Sequence, residues 1–438
     1  MRPIYLAATA LTAFALVACS SSAEDPIDIG FGANPELPQP SKQLLPTVNI
    51  AEAEMWPDGM MPTAATGLNI TEFTKELDHP RWIYQLPNGD VLVTESNAPK
   101  KEISTGLMGW IQTKVMTKAG AGVPSADRIT LLRDADGDGV AELKTPFMTD
   151  LHSPFGMSLV GETFYIANAD AIVSVPYSRG QTSITAAPQQ VFALPGGPRN
   201  HHWTKSLIAS SDGSKLYAGV GSNTNIGENG MDEEEGRAAI WEFDITSGEA
   251  RLFGEGLRNP VGIDFDGATG KLYTVVNERD ELGNNLVPDY LTSVQDGGFY
   301  GWPYSYFGKI IDERVDQTHP QLVARSIKPD YALGSHTASL GLDISEGKMA
   351  GIETLFGRGA FIGQHGSWNR KPRSGYKVIF IPFDASGPAG EPRDVITGFL
   401  DGDKARGRPV GVLIDQGGGL LVADDVGNRI WRVSPTQG

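Results

Sequence analysis

The chain contains a single cysteine in 438 residues. No disulfide can form within it, so the fold must rest on its core or on bound ions. Basic residues are also scarce: 36 Lys and Arg against 53 Asp and Glu leave a net charge of −17 at pH 7. No basic cluster offsets that excess, which excludes nucleic acid as a partner, because a phosphate backbone would be repelled. Sustained apolar spacing at three and four residues is missing as well, so long helices are not expected. What the chain has in quantity is 53 glycines and 29 prolines, the composition of a chain that turns often.

Near the N-terminus, Arg2 is followed by an apolar or small stretch from Ile4 to Ala18. That length is too short for ~30 Å of hydrocarbon but suits the core of an export signal. The run "LVAC", Leu16 to Cys19, resembles a bacterial lipobox. The resemblance implies that residues 1–18 are removed and Cys19 is lipidated. Ser20 in place of an aspartate resembles the pattern for outer-membrane delivery, which implies an exported, periplasmic lipoprotein. Removing residues 1–18 takes away one arginine and no acid, so the net charge falls from −17 to −18. Residues 19–50, rich in Pro, Ser and Gly, read as a flexible tether, and residues 51–438 as one domain.

A hairpin pattern recurs through that domain: an apolar residue, a glycine turn, then four to six apolar or aromatic residues. It appears at 86–96, 159–170, 208–222, 263–278, 355–367 and 413–428. Five of the six are soon followed by a further strand such as "RITLLR" or "AIVSVP". Six such units predict an all-β, six-bladed β-propeller, with room for a long insertion between 271 and 360. Loops at one mouth of a propeller converge, so residues distant in sequence can share one site.

Polar segments recur at matching places in these units. "GLRNPVG" and "NERDELG" flank the fourth hairpin, "NHHWTKSL" precedes the third, "GQHGSWNR" follows the fifth and "ARGRPVGV" precedes the sixth. Histidine offers a base, arginine a two-pronged clamp for anions, and an acidic loop oxygen ligands for a hard cation. In this order, with "SPFGM" and "YGWP", the segments resemble the soluble pyrroloquinoline quinone (PQQ) dependent sugar dehydrogenases, above all the sorbosone dehydrogenase-like branch. The match spans roughly residues 70 to 435.

The resemblance implies PQQ and Ca²⁺ as cofactors and an aldose or sugar aldehyde, such as glucose or sorbosone, as substrate. Hydride would pass to the quinone, and electrons onward to a cytochrome or quinone acceptor. His202 then stands as general base, with His201 as its fallback. Arg258 and Asn259 contact the quinone edge, and Arg258 acts in catalysis. Arg406 and Arg408 resemble carboxylate clamps. His365 aligns with a cofactor-binding lysine, with Trp368, Asn369, Arg370 and Lys371 nearby; Trp368 offers a plane for stacking. Ca²⁺ is implied at the main chain of Glu278, Arg279 and Asp280. No acid stands near Gly221 and Ser222, where some relatives carry the aspartate that orients the base.

A separate loop, "RDADGDGVAEL", sets Asp134, Asp136, Asp138 and Glu142 at calcium-loop spacing, without an acid at the twelfth position, Thr145. It suits a structural Ca²⁺. Two other readings stand beside the dehydrogenase: a cofactor-free propeller that binds a sugar or protein, and a calcium-dependent sugar-lactone hydrolase. The arginine cluster argues against the hydrolase.

Overall fold

Short runs of Val, Ile, Leu and Tyr between turns bearing Gly and Asp become antiparallel strands of about five to seven residues. The structure, a computed structural model, describes residues 26–41, 47–100, 118, 120, 122–348 and 350–436. Cys19 and the export signal lie outside the described residues. No helix among the described residues is long and apolar enough to cross a membrane.

Among the described residues the strands form six sheets of four or five strands, beside two small ones of three and two. Their first strands are Pro80–Gln85, Met157–Val160, Lys205–Ala209, Pro260–Phe265, Ser339–Glu346 and Pro409–Ile414. The following strands add outward in chain order, except that the outermost strand of the fourth, fifth and sixth sheets comes from the N-terminal part of the chain. The sixth sheet is completed from the other end of the chain: Leu68–Thr74 pairs with Arg429–Pro435, Leu68 opposite Pro435 and Thr74 opposite Ile430. First strands pack side by side, Pro80–Gln85 against Pro409–Ile414, then Ser339–Glu346, Pro260–Phe265, Lys205–Ala209 and Met157–Val160.

One apolar cluster collects a residue from the start of every sheet: Trp82, Phe155, Trp203, Val261, Leu340 and Val410. Glycine follows four of these six, and it is required there. A Cβ on Gly156 would lie 2.2 Å from the Leu207 amide nitrogen, and one on Gly341 2.1 Å from the Val410 carbonyl. The glycines let one first strand press against the next. Asp264 and Asp343 add links between sheets, accepting the Ile344 and Ile414 amides at 2.7 and 2.6 Å.

Two expectations need adjusting. Sheets have a fourth strand, such as Leu143–Met148 or Gln189–Ala193, that three-strand units did not anticipate. Its solvated edge position weakens the apolar alternation, as Gln189–Ala193 is almost wholly exposed. The fifth unit's first turn is no tight glycine turn but a longer link that includes the helix Glu353–Phe356. The long insertion falls between Pro288–Ser293 and Tyr331–Ser335 of the fourth sheet.

The tether boundary is also corrected. Within residues 26–41, Phe31 pairs with Leu333 and Gly32 with Ala332. Lys328 Nζ donates to the Ala33 carbonyl at 2.8 Å and Asn34 Oδ1 at 2.7 Å. An edge strand with open hydrogen-bonding groups captures the passing chain. Farther on, Glu52–Ala53 pairs in parallel with Lys404–Ala405.

Candidate active site

The apolar cluster marks the mouth at which polar residues gather. Arg81 and His202 each immediately precede a cluster residue, Trp82 and Trp203; Asn259 and Arg408 stand two residues before Val261 and Val410. Each polar residue thus stands at the entry to a first strand.

His202 is half-buried. Its Nδ1 lies 2.7 Å from the Ser222 carbonyl oxygen. That oxygen can only accept, so Nδ1 carries the proton and Nε2 keeps the free lone pair. A backbone carbonyl therefore does the orienting work for which no aspartate is present. Gly221 permits the approach, because a Cβ there would sit 2.2 Å from Asn259 Oδ1 and 2.5 Å from His202 Cβ. Burial, then the charge on Arg258 and His201, hold the His202 pKa well below 6.5. The imidazole is neutral, as a base must be. His201 is exposed instead.

Arg258, 3% exposed, ties the two ends of its own hairpin together. Nη1 donates to the carbonyls of Asn277 and Glu278 at 3.2 and 2.7 Å, Nε to the Asn225 carbonyl at 3.3 Å, and Nη2 to Asn225 Oδ1 at 3.1 Å. The Glu278 and Asp280 carbonyls, expected to be open for a cation, both accept hydrogen bonds from side chains: Glu278 one, from Arg258, which leaves a second lone pair, and Asp280 two, from Arg279 Nε at 2.9 Å and Asn225 Nδ2 at 3.4 Å. Burial pushes the Glu278 carboxyl up to about 7. Burial also acts to raise Asp280, but a hydrogen bond from His336 and the Arg258 charge outweigh it and hold Asp280 below the usual range. Asp280 Oδ1 accepts from Asn369 Nδ2 at 2.7 Å, which ties the loop after the fifth hairpin into the site. The Arg279 side chain turns away onto Asp312 and the Asp280 carbonyl.

Three residues escaped the sequence reading: His79, Arg81 and Asp425. Asp425, 2% exposed, receives His365 Nε2 at 2.9 Å and Arg81, with His79 Nε2 at 3.5 Å. Burial acts to raise this carboxyl; His365 and His79 outweigh it and keep Asp425 far below the usual range. The signals were "LDHPRW" before the first hairpin and the second acid of "VADDVGN" after the sixth. Arg81 also lies 5.8 Å from the Trp203 ring centroid, beside the His202 turn.

Arg408 completes the ring. It is 3% exposed, its guanidinium 4.9 Å from the Tyr376 ring centroid and Nη1 3.4 Å from the His365 carbonyl. Its Nε and Nη2 are buried without a partner, as are Arg81 Nε and Asn259 Oδ1. Unmet charged donors are costly in a buried place, and these fit an anionic ligand with carboxylates.

Other expected residues are not part of this ring. Arg406 pairs with exposed Asp401, because residues 406–408 precede the regular strand and do not alternate as it would. Arg370 is buried and engaged: Nε on the Asn284 carbonyl at 3.0 Å, Nη1 on the Pro372 carbonyl at 2.8 Å and Nη2 on Asn285 Oδ1 at 2.9 Å. Trp368 is 42% exposed. The acids of the separate loop do come together: ligand oxygens of Asp134, Asp136, Asp138 and Glu142 lie within 4.8 Å of one another. They sit at a turn between outer strands of the first sheet, so any ion there would act on stability.

The chain is similar to several known proteins. A family described as TrAA12-like matches residues 62–289 and 311–436. The chain is 29% identical over 294 residues to an uncharacterized protein of Borreliella burgdorferi, covering 65% of this chain and 76% of that protein. It is 27% identical over 232 residues to the pyrroloquinoline quinone-dependent pyranose dehydrogenase of Coprinopsis cinerea, covering 43% of this chain but only 31% of that protein. Among solved structures, the holo PQQ domain of that pyranose dehydrogenase superposes with a TM-score of 0.67 at 21% identity, covering 88% of this chain and 99% of the domain. The calcium structure of the Trichoderma reesei family AA12 enzyme gives 0.68 at 17% identity, covering 90% and 100%. The PQQ-bound aldose sugar dehydrogenase of Streptomyces coelicolor gives 0.55 at 18%, covering 85% and 99%. At these identities the structural likeness is one of fold.

Proposed function

The chain belongs to the TrAA12-like family, and from that membership and the site we propose a six-bladed propeller that oxidises an aldose or sugar aldehyde with PQQ and Ca²⁺. The sorbosone dehydrogenase-like branch is the finer placement. One observation carries the reading: at the entries to three first strands stand the buried, unpartnered guanidinium donors of Arg408 and Arg81 and a neutral, oriented His202.

PQQ, when bound, supplies an ortho-quinone that accepts hydride, and three carboxylates that call for cationic partners. Arg408 and Arg81 bind carboxylate oxygens through those open nitrogens. Asp425 holds Arg81 and His365 in place for this task. His202 Nε2 takes the proton of the sugar hydroxyl, while the Ser222 carbonyl keeps its ring turned. Trp82, Phe155 and Trp203 floor the site and exclude water. In the loop Glu278–Asp280 the Glu278 carbonyl keeps a lone pair to offer Ca²⁺, and a second, structural Ca²⁺ suits Asp134, Asp136, Asp138 and Glu142. Export, a lipid on Cys19 and a periplasmic cytochrome or quinone as acceptor complete the proposal.

The test is a titration of the purified protein with PQQ in Ca²⁺, followed by dye reduction with a panel of aldoses and sugar aldehydes. Saturable binding and turnover of at least one sugar are expected. An absence of PQQ binding refutes the cofactor, and binding without turnover refutes the enzyme.

A further inference from the structure

Behind the His202 turn lies a lysine with 0% exposure, Lys205. Its ammonium donates to the carbonyls of His202 at 3.1 Å and Trp203 at 3.2 Å, and to Asn200 Oδ1 at 3.3 Å. All three acceptors are uncharged. No carboxylate among the described residues bonds to it; burial, then the Arg237 charge, hold its pKa well below 10.5 against the Asp170 charge, and an apolar residue of similar length would serve packing better. The fold alone does not explain this lysine.

The turn does. Regular pairing in this sheet begins at Lys205, opposite Val220. The His202 and Trp203 carbonyls therefore fall short of the ladder, yet buried backbone acceptors need donors. Lys205 supplies them. Asn200 is itself fixed, Oδ1 by Arg237 Nη1 at 3.1 Å and Nδ2 on the Ala169 carbonyl at 2.8 Å. The ammonium thus links the turn to the second sheet and to the loop that carries Arg237.

We propose that Lys205 is a positioning residue for His202: it locks the peptide after His202, and so sets the direction in which the imidazole leaves the backbone. The ring is then held at two points, its own carbonyl by Lys205 and its Nδ1 by the Ser222 carbonyl. Without the first anchor the second loosens, because the turn can rotate about the peptide that the ammonium had fixed. This inference rests on the reading of His202 as base, but its structural content can be tested without turnover.

The experiment compares wild type, Lys205→Met and His202→Gln by ¹⁵N NMR of histidine-labelled protein without cofactor, and by kinetics with PQQ and Ca²⁺. In wild type one histidine, absent from His202→Gln, should show the Nδ1-protonated tautomer. In Lys205→Met that signal should shift toward the common Nε2-protonated form. The kcat should fall roughly tenfold or more, with PQQ affinity within about twofold of wild type, since the loss is of orientation in the chemical step. A folded Lys205→Met with wild-type tautomer and kcat overturns the proposal. Should Lys205→Met not fold, Asn200→Ser removes the ammonium's third acceptor and should give the same shift to a lesser degree; an unchanged tautomer there also overturns it. If wild type oxidises no sugar, the base reading fails, while the tautomer comparison still decides whether Lys205 orients His202.

Discussion

Arg408 and Arg370 are both buried arginines in loops that sequence reasoning assigned to the cofactor, yet their replacement should have opposite consequences. Arg370 gives its donors to the Asn284 and Pro372 carbonyls and Asn285 Oδ1. Arg408 leaves Nε and Nη2 without a partner, and its remaining contacts at 3.4 Å are weak. A hydrogen bond between charged groups contributes about 1.5–3 kcal/mol. Two such bonds to one carboxylate, discounted for desolvation, come to about 3 kcal/mol, or roughly 150-fold in Kd. Arg408→Met should therefore weaken PQQ binding on that order and leave the stability of the cofactor-free protein within about 1 kcal/mol. Arg370→Met should leave Kd nearly unchanged and destabilise by about 2–3 kcal/mol, because one buried and two part-buried acceptors lose their donors. Calorimetric titration with PQQ and urea unfolding of both variants check this. An unchanged Kd in Arg408→Met, or a larger loss of affinity in Arg370→Met, would refute the argument that open donors identify the ligand site.

Other consequences follow from the same geometry. His202→Gln should lower turnover by about 10²- to 10⁴-fold with PQQ binding intact; steady-state rates near wild type would place the base elsewhere. Burial holds His79 at about 4 against 6.5 in an unfolded chain. The unfolded state therefore takes up the proton first. Stability is complete above about pH 6.5 and declines by up to about 3 kcal/mol as pH falls toward 4. Urea midpoints across that range should show the decline shrinking in His79→Gln, and an equal decline in that variant would count against it. Ca²⁺ should raise Tm in wild type, and the double change Asp136→Asn with Asp138→Asn should remove that part of the rise owed to the outer loop. An identical rise in the variant would exclude an ion there.

Local pattern carried much of this protein. Glycine turns between apolar runs determined the hairpins, because strand alternation and positive-φ turns are short-range properties. That His202, Arg258, Asn259 and Arg408 stand just before first strands was legible too, since each lies in a segment of unusual polarity ahead of a hairpin. The acids from Asp134 to Glu142 converge because their spacing lies within one turn.

The tertiary structure alone decided which cations were free. Arg406 and Arg408 look equivalent two residues apart, yet one pairs with the Asp401 carboxylate and the other, among the described residues, meets no carboxylate and keeps Nε and Nη2 unmet. Arg81 reaches Asp425 across 344 residues of chain, and the first paired strand of the domain's last sheet edge, Leu68–Thr74, joins a strand more than 350 residues later. Lys205 is an ordinary strand residue until the turn behind His202 is folded over it. Partners this far apart are chosen when sheets pack, and a pairing that depends on packing leaves no trace in the order of neighbouring residues.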